Sequence, residues 1–231
     1  MQKNFVVIGV GSGIGRALAQ MIAASGHQVF GTYRQSQSSI PGVELHHLDL
    51  NDESLDLSFV PHEVHGLAYA PGKIDLKPFG RLSEEDFIAD YKLQVGGAIR
   101  VVQALLPNLK AAGSSSVVFF STVAVQQGFN FHSLVSSSKG ALEGLSRALA
   151  AEFAPSIRFN CVAPSLTDTP LAGKLLNTEQ KKEANAQRHP LKRIGTAEDI
   201  AEAANFLLNE TSSWMTGQVL PVDGGMSSLR I

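Results

Sequence analysis

With a single cysteine among its 231 residues, the chain cannot form an internal disulfide, and Cys161 lies in the apolar stretch "FNCVA", where a buried, inert thiol is the simplest reading. No run of the sequence reaches the roughly 18 consecutive apolar residues of a membrane-spanning helix, so no membrane partner is expected. The opening "MQKNFVVIGVG" passes from one lysine straight into a strand-like run with no small-residue cleavage site; no export signal is read, and a cytoplasmic setting is expected. An excess of charge of one sign is also missing. The formal net charge is -2, and the basic cluster within residues 181–193 is flanked and interrupted by Glu179 and Glu183, which argues against a nucleic-acid partner. Internal repeats and linkers are lacking too, so residues 1–231 read as one domain.

What the chain does have is a regular alternation. Short β-branched and apolar runs stand at 5–8, 28–32, 44–50, 66–70, 117–121, 158–163 and 218–223, giving seven expected strands. Between the first two, Ile14, Leu18, Met21 and Ile22 fall on one helical face that ends at Gly26. Ser83 with Asp86, and Thr196 with Asp199, have the spacing of a hydroxyl cap followed by an acid at a helix start. Residues 136–153 form another apolar-periodic helix. Alternating strands and helices imply an α/β fold: a Rossmann-type doubly wound parallel sheet with helices on both faces. The crossovers joining strands two, three and four are short and each contains proline, so helices there are expected to be stunted or absent.

The first strand runs into Gly9, Gly11, Ser12, Gly13, Ile14 and Gly15 at the mouth of a helix, where backbone amides and the helix dipole can meet a pyrophosphate. A tight strand-to-helix turn with no ligand would use the same glycines, so this signal needs others beside it. After the second strand, residues 27–43 contain no Asp or Glu to accept hydrogen bonds from an adenosine ribose. They contain Arg34, whose guanidinium suits a 2′-phosphate, so NADP(H) is expected in preference to NAD(H); a solvated loop arginine is the alternative.

Gly9, Gly13 and Gly15 fit the TGxxxGxG pattern of the short-chain dehydrogenase/reductase family, with Ile8 in place of its threonine. Asp49-Leu50 resembles that family's adenine-binding pair, and "RFNCVAPSLTDTP" resembles its RVNxVxPGxxxTx segment, with Ser165 replacing glycine. The C-terminal portion from "PLKRIGTAEDIAEAANFLL" onward is similar as well, so the resemblance spans essentially the whole chain. It adds Ala70, Pro71, Gly72, Lys139, Pro164, Thr167 and Thr169 to the expected cofactor contacts, the first three within "YAPG", where the family has NNAG.

The same resemblance implies a reacting group of Ser, Tyr and Lys with a nearby Asn. Lys139 matches the lysine of YxxxK, but Val135 stands where the tyrosine belongs, and valine has no exchangeable proton. The serine position falls on Thr122, beside Ser121, and the asparagine position on Gln94. His132, seven residues before Lys139 and three before Val135, shares a face with both if the helix already runs there, making it a candidate replacement acid; that spacing and "YAPG" resemble the enoyl-acyl carrier protein reductase branch. Tyr69 and Tyr91 are weaker candidates. The expectation is an oxidoreductase with a divergent site acting on a small carbonyl or enoyl compound, under a substrate lid around 165–195 and assembled as a homodimer or homotetramer. The alternative is a catalytically inactive dinucleotide-binding regulator or partner subunit.

Overall fold

The computed structural model describes residues 1–35 and 39–230. In chain order the elements are β1 (Asn4–Ile8), α1 (Gly13–Ala24), β2 (Gln28–Tyr33), β3 (Val43–His47), β4 (Gly66–Tyr69), α2 (Glu84–Tyr91), a π-helical turn (Lys92–Gly96), α3 (Gly97–Ala111) and β5 (Ser115–Phe120). There follow α4 (Ala124–Gln127), α5 (Ser133–Phe153), β6 (Ile157–Pro164), β7 (Thr167–Asp168), α6 (Glu179–Gln187), β8 (Gly195–Thr196), α7 (Ala197–Leu208) and β9 (Val219–Val222).

Seven strands form one parallel sheet in the order β3-β2-β1-β4-β5-β6-β9. The two-residue strands β7 and β8 pair separately, tying the start of the 165–195 segment to its end. Side chains along each central strand alternate between the two faces, as the period of a strand requires. Val6, Ile8, Leu67, Tyr69, Val117, Phe119, Phe159 and Cys161 pack with α3 and α5 on one side. Phe5, Val7, Ala68, Val118, Phe120 and Val162 pack with α1 and α7 on the other. Cys161 is thus a core thiol, and burial pushes it up to about 12.

Both capping boxes form at the expected helix starts, Ser83 with Asp86 on α2 and Thr196 with Asp199 on α7. No helix lies between β2 and β3 or between β3 and β4 among the described residues. Strand ends shift from expectation by one residue or more, as does the start of α5, and three such boundaries bear on the site. Strand β3 stops at His47, so Asp49 and Leu50 occupy the loop beyond it; β5 stops at Phe120, so Ser121 follows it; and α5 begins at Ser133. No helix among the described residues is long and apolar enough to cross a membrane.

Candidate active site

The strand order reverses between β1 and β4, and the loops leaving the carboxyl ends of the strands open a crevice there. Gly9 has φ +90° and Gly13 φ +57°, a left-handed region that only glycine enters readily. At Gly15 a Cβ would collide with the Gly9 carbonyl, so the first turn of α1 can lie this close to the loop only without a side chain. The buried hydroxyl of Thr32 accepts from the Gly9 amide at 3.1 Å, fixing the loop to β2. At the α1 N-terminus Ser12 makes no side-chain cap bond and the first turn contains no acid, which leaves its positive end facing the crevice.

This cleft has a volume of about 350 Å³ and is lined by Gly9, Gly11, Ser12, Gly13, Ile14, Gly15, Arg34, Asp49, Leu50, Ala70, Pro71, Gly72 and Thr169. The same wall includes Thr32, Tyr33, Gln35, Leu48, Leu93, Pro170 and Leu171, which motif matching missed because strand ends and loops supply them without a pattern. Asp49 is held below the usual carboxylate range by the backbone amide of Asn51, with smaller contributions from the Asn51 side chain and the Arg34 charge. Glycines, an open helix N-terminus and an arginine near the rim fit a dinucleotide with two bridging phosphates.

A second cavity of about 600 Å³ adjoins the first, and Ile14, Ala70, Gly72, Thr169 and Leu171 line both. Ser121 and Thr122 after β5, His132, Val135 and Lys139 around the start of α5, and Pro164, Ser165 and Thr167 around the end of β6 line the second cavity. Pro164, Thr167 and Lys139 thus line this second space rather than the glycine-lined cleft. The reason is local. The chain after β6 first crosses the second cavity and reaches the shared wall only at Thr169.

Val135 is buried, one helical turn before Lys139, and presents only methyl groups to the cavity. Of the neighbouring hydroxyls, Ser121 donates to the buried Glu143 carboxylate at 2.6 Å, and Thr122 accepts from the Ala124 amide at 3.3 Å. His132 stands just before the first turn of α5, not within it. It is half-buried, its Nδ1 lies 2.8 Å from the Asn130 carbonyl, and its ring meets Phe129 edge-on. Because the carbonyl can only accept, Nδ1 carries the proton in that contact.

Three candidates from the sequence, Gln94, Tyr69 and Tyr91, lie outside both cavities. Gln94 is wholly buried and lines neither cavity; its Nε2 donates to Asp90 at 2.7 Å and toward the Lys73 carbonyl at 3.5 Å. Tyr69 is a core residue whose hydroxyl donates to the Leu93 carbonyl at 2.8 Å, and burial pushes its phenol far above the usual range. It points away from the cavities because alternation puts the last residue of β4 on the α3 face. Tyr91 is exposed and lines neither space.

Lys139 is buried, and the loss of solvent brings its ammonium down to about 8, while the Asp90 carboxylate and then Cys161 oppose that fall. Asp90 carries no sequence signal of its own; only the packing of α2 against α5 brings it near Lys139. Another pair missed in the sequence is Ser165 with the buried His189: the hydroxyl lies 2.9 Å from Nε2, while Nδ1 reaches the Asn185 carbonyl at 2.8 Å.

Known proteins resemble this chain over most of its length. A family profile described as "Enoyl-(Acyl carrier protein) reductase" matches residues 60–227. L-xylulose reductase of Bos taurus is 32% identical over 237 residues, covering 96% of this chain and 96% of that protein. The 3-oxoacyl-[acyl-carrier-protein] reductase MabA of Mycobacterium tuberculosis is 30% identical, covering 98% of this chain and 93% of that one. A solved structure described as a short chain dehydrogenase/reductase family protein superposes with a TM-score of 0.89 at 31% identity, covering 98% of each chain.

Proposed function

Because the chain belongs to the short-chain dehydrogenase/reductase family of oxidoreductases, we propose that it is an NADP(H)-dependent reductase of a small carbonyl or enoyl compound, with a reaction site altered at Val135. One observation carries the reading: the glycine-lined cleft opens directly into the cavity that holds Thr122 and Lys139. The α1 N-terminus would hold the pyrophosphate of a dinucleotide, Arg34, Asp49 and Leu50 its adenosine end, and Ala70, Pro71, Gly72 and Thr169 on the shared wall its other end. The nicotinamide, when bound, supplies a hydride.

The chain supplies the rest. The Thr122 hydroxyl donates a hydrogen bond to the substrate oxygen as it gains charge. Lys139 binds the nicotinamide ribose hydroxyls and adds a positive field, and Gln94 steadies the ground beneath it through Asp90. His132 is a second titratable group on the cavity wall. The segment 165–195, with α6 and the β7–β8 tie, forms the substrate lid, and Pro164 and Thr167 lie at its base. The relatives named for L-xylulose and 3-oxoacyl thioesters support an oxo group as the target. The exposed Ile88 and Tyr91 on α2 support assembly as a homodimer or homotetramer.

Substrate-dependent oxidation of NADPH over a panel of ketoses, ketones, aldehydes and 3-oxoacyl and enoyl thioesters tests the reading. Turnover of at least one class is expected. Tight NADPH binding with no turnover of any class would instead favour the inactive dinucleotide-binding regulator.

A further inference from the structure

We propose that Lys139 itself is the proton donor of this site, and that the buried Asp90 is the positioning residue that keeps it charged. The inference rests on the reductase reading above. In the reaction the hydride adds to the carbonyl carbon and the C=O π pair moves to oxygen. An N–H bond of Lys139 then breaks, its electron pair stays on nitrogen, and the proton forms the O–H bond of the product alcohol. Water reprotonates the amine between turnovers.

Among the other proton-bearing groups, the Thr122 hydroxyl donates a hydrogen bond to the substrate oxygen but is too weak an acid to give up its proton, and the rest are committed or misplaced. The hydroxyl of Ser121 is engaged by Glu143 and that of Ser165 by His189, while the Nδ1 proton of His132 points to Asn130. Tyr69 lies outside the cavity. Lys139 reaches the cavity, yet among the described residues its Nζ makes no protein hydrogen bond.

Beneath it lies the complement. Asp90 Oδ1 and Gln94 Oε1 are buried acceptors with no partner, although such groups are nearly always satisfied in folded proteins. The Lys139 Nζ and the Gln94 Oε1 each stand 3.5 Å from the point a Gly72 Cβ would occupy, so the ammonium and the Gln94 acceptor converge under one glycine. The Gln94–Asp90 bond of 2.7 Å spans the junction of α2 with the π-helical turn, a widened helix geometry that recurs at functional sites. A valine at position 135 leaves no phenol between Lys139 and the substrate.

The charged or titratable groups facing Lys139 are Asp90 from α2 and Cys161 from β6. An acid must be protonated to act, so turnover should be full below pH about 8 and fall as pH rises through it. Two measurements on the intact protein test this. The first is the pH profile of kcat for wild type, Lys139→Arg, Asp90→Asn, His132→Ala and His189→Ala. The second is an NMR titration of reductively methylated lysines, assigned through Lys139→Arg, which needs neither cofactor nor substrate.

Asp90→Asn should move both the Lys139 titration and the alkaline limb to lower pH, by roughly 1 unit or more. Lys139→Arg should lower kcat by about a hundredfold or more, since a guanidinium keeps the charge without yielding a proton. If Asp90→Asn does not fold, the wild-type limb and Lys139→Arg still decide the donor. Robust turnover indifferent to Lys139→Arg, or an alkaline limb abolished by His132→Ala or His189→Ala, overturns the donor assignment alone. A Lys139 titration unmoved in a folded Asp90→Asn overturns the role of Asp90. No turnover in wild type overturns the reductase reading, and the donor role with it.

Discussion

Replacing Arg34 by alanine should weaken NADPH binding about tenfold and leave NADH binding nearly unchanged. Arg34 follows β2 directly and lines the cleft, with its own carbonyl held by His47 Nε2 at 3.1 Å, so the backbone that presents the guanidinium is fixed. Residues 27–43 have no carboxylate to compete for it, and the nearest acid with which it interacts is Asp49. A charge-assisted hydrogen bond is worth about 1.5 to 3 kcal/mol, and because Arg34 is exposed the lower end applies, about 1.5 kcal/mol or roughly a factor of ten in Kd. Salt sharpens the test. The Debye length falls from about 10 Å at 0.1 M to about 3 Å at 1 M, so the preference for NADPH should shrink over that range in wild type and not in Arg34→Ala. Fluorescence titration of both reduced cofactors gives the four constants needed. Equal wild-type affinities for NADPH and NADH, or an Arg34→Ala variant that binds NADPH as wild type does, would refute the assignment of the 2′-phosphate to Arg34.

Two further outcomes follow from the same geometry. Val135→Tyr places a phenol one helical turn from the Lys139 ammonium, which favours the phenolate; ketone turnover should rise by about a hundredfold, seen in steady-state NADPH oxidation, and no gain would mean that the tyrosine position is not the limiting defect. Asp199 is held at about 2 chiefly by its forked ion pair with Arg193, at 2.5 and 2.8 Å. A depressed carboxylate stabilises the fold above its unfolded pKa of about 3.9, and the contribution is lost as pH falls toward 2. Arg193→Ala should therefore lower Tm at pH 7 and cost progressively less below pH 4, as thermal melts across that range would reveal.

Much of this architecture is legible in the chain because it is written in local periods. Runs such as "FVVI" and "VVFF" alternate between two packed faces, so both faces are apolar and each strand stands out as an unbroken hydrophobic stretch. The two capping boxes are equally local, since Ser83 with Asp86 and Thr196 with Asp199 satisfy helix amides within three residues. The glycine loop is legible because its φ values and its approach to α1 exclude side chains.

What escapes is whatever depends on contacts between distant segments. The β7–β8 tie has two residues on each side, too few to show any period. Ser165 and His189 meet across the 165–195 segment, and Asp90 gains its meaning only from Lys139 on another helix. His132 illustrates the limit in the other direction: its spacing from Val135 and Lys139 is helical, yet the helix starts one residue later, so the spacing alone misjudged its backbone.

The most direct test of a hydride-transferring site with its donor in the cleft and its substrate in the adjoining cavity is isotopic. NADPH carrying deuterium at one or the other C4 position is incubated with the oxo compound of highest turnover, and the product alcohol is analysed by mass spectrometry. The account predicts one deuterium on the former carbonyl carbon from one of the two isotopomers and none from the other. Consumption of NADPH without deuterium in the product from either isotopomer would contradict it.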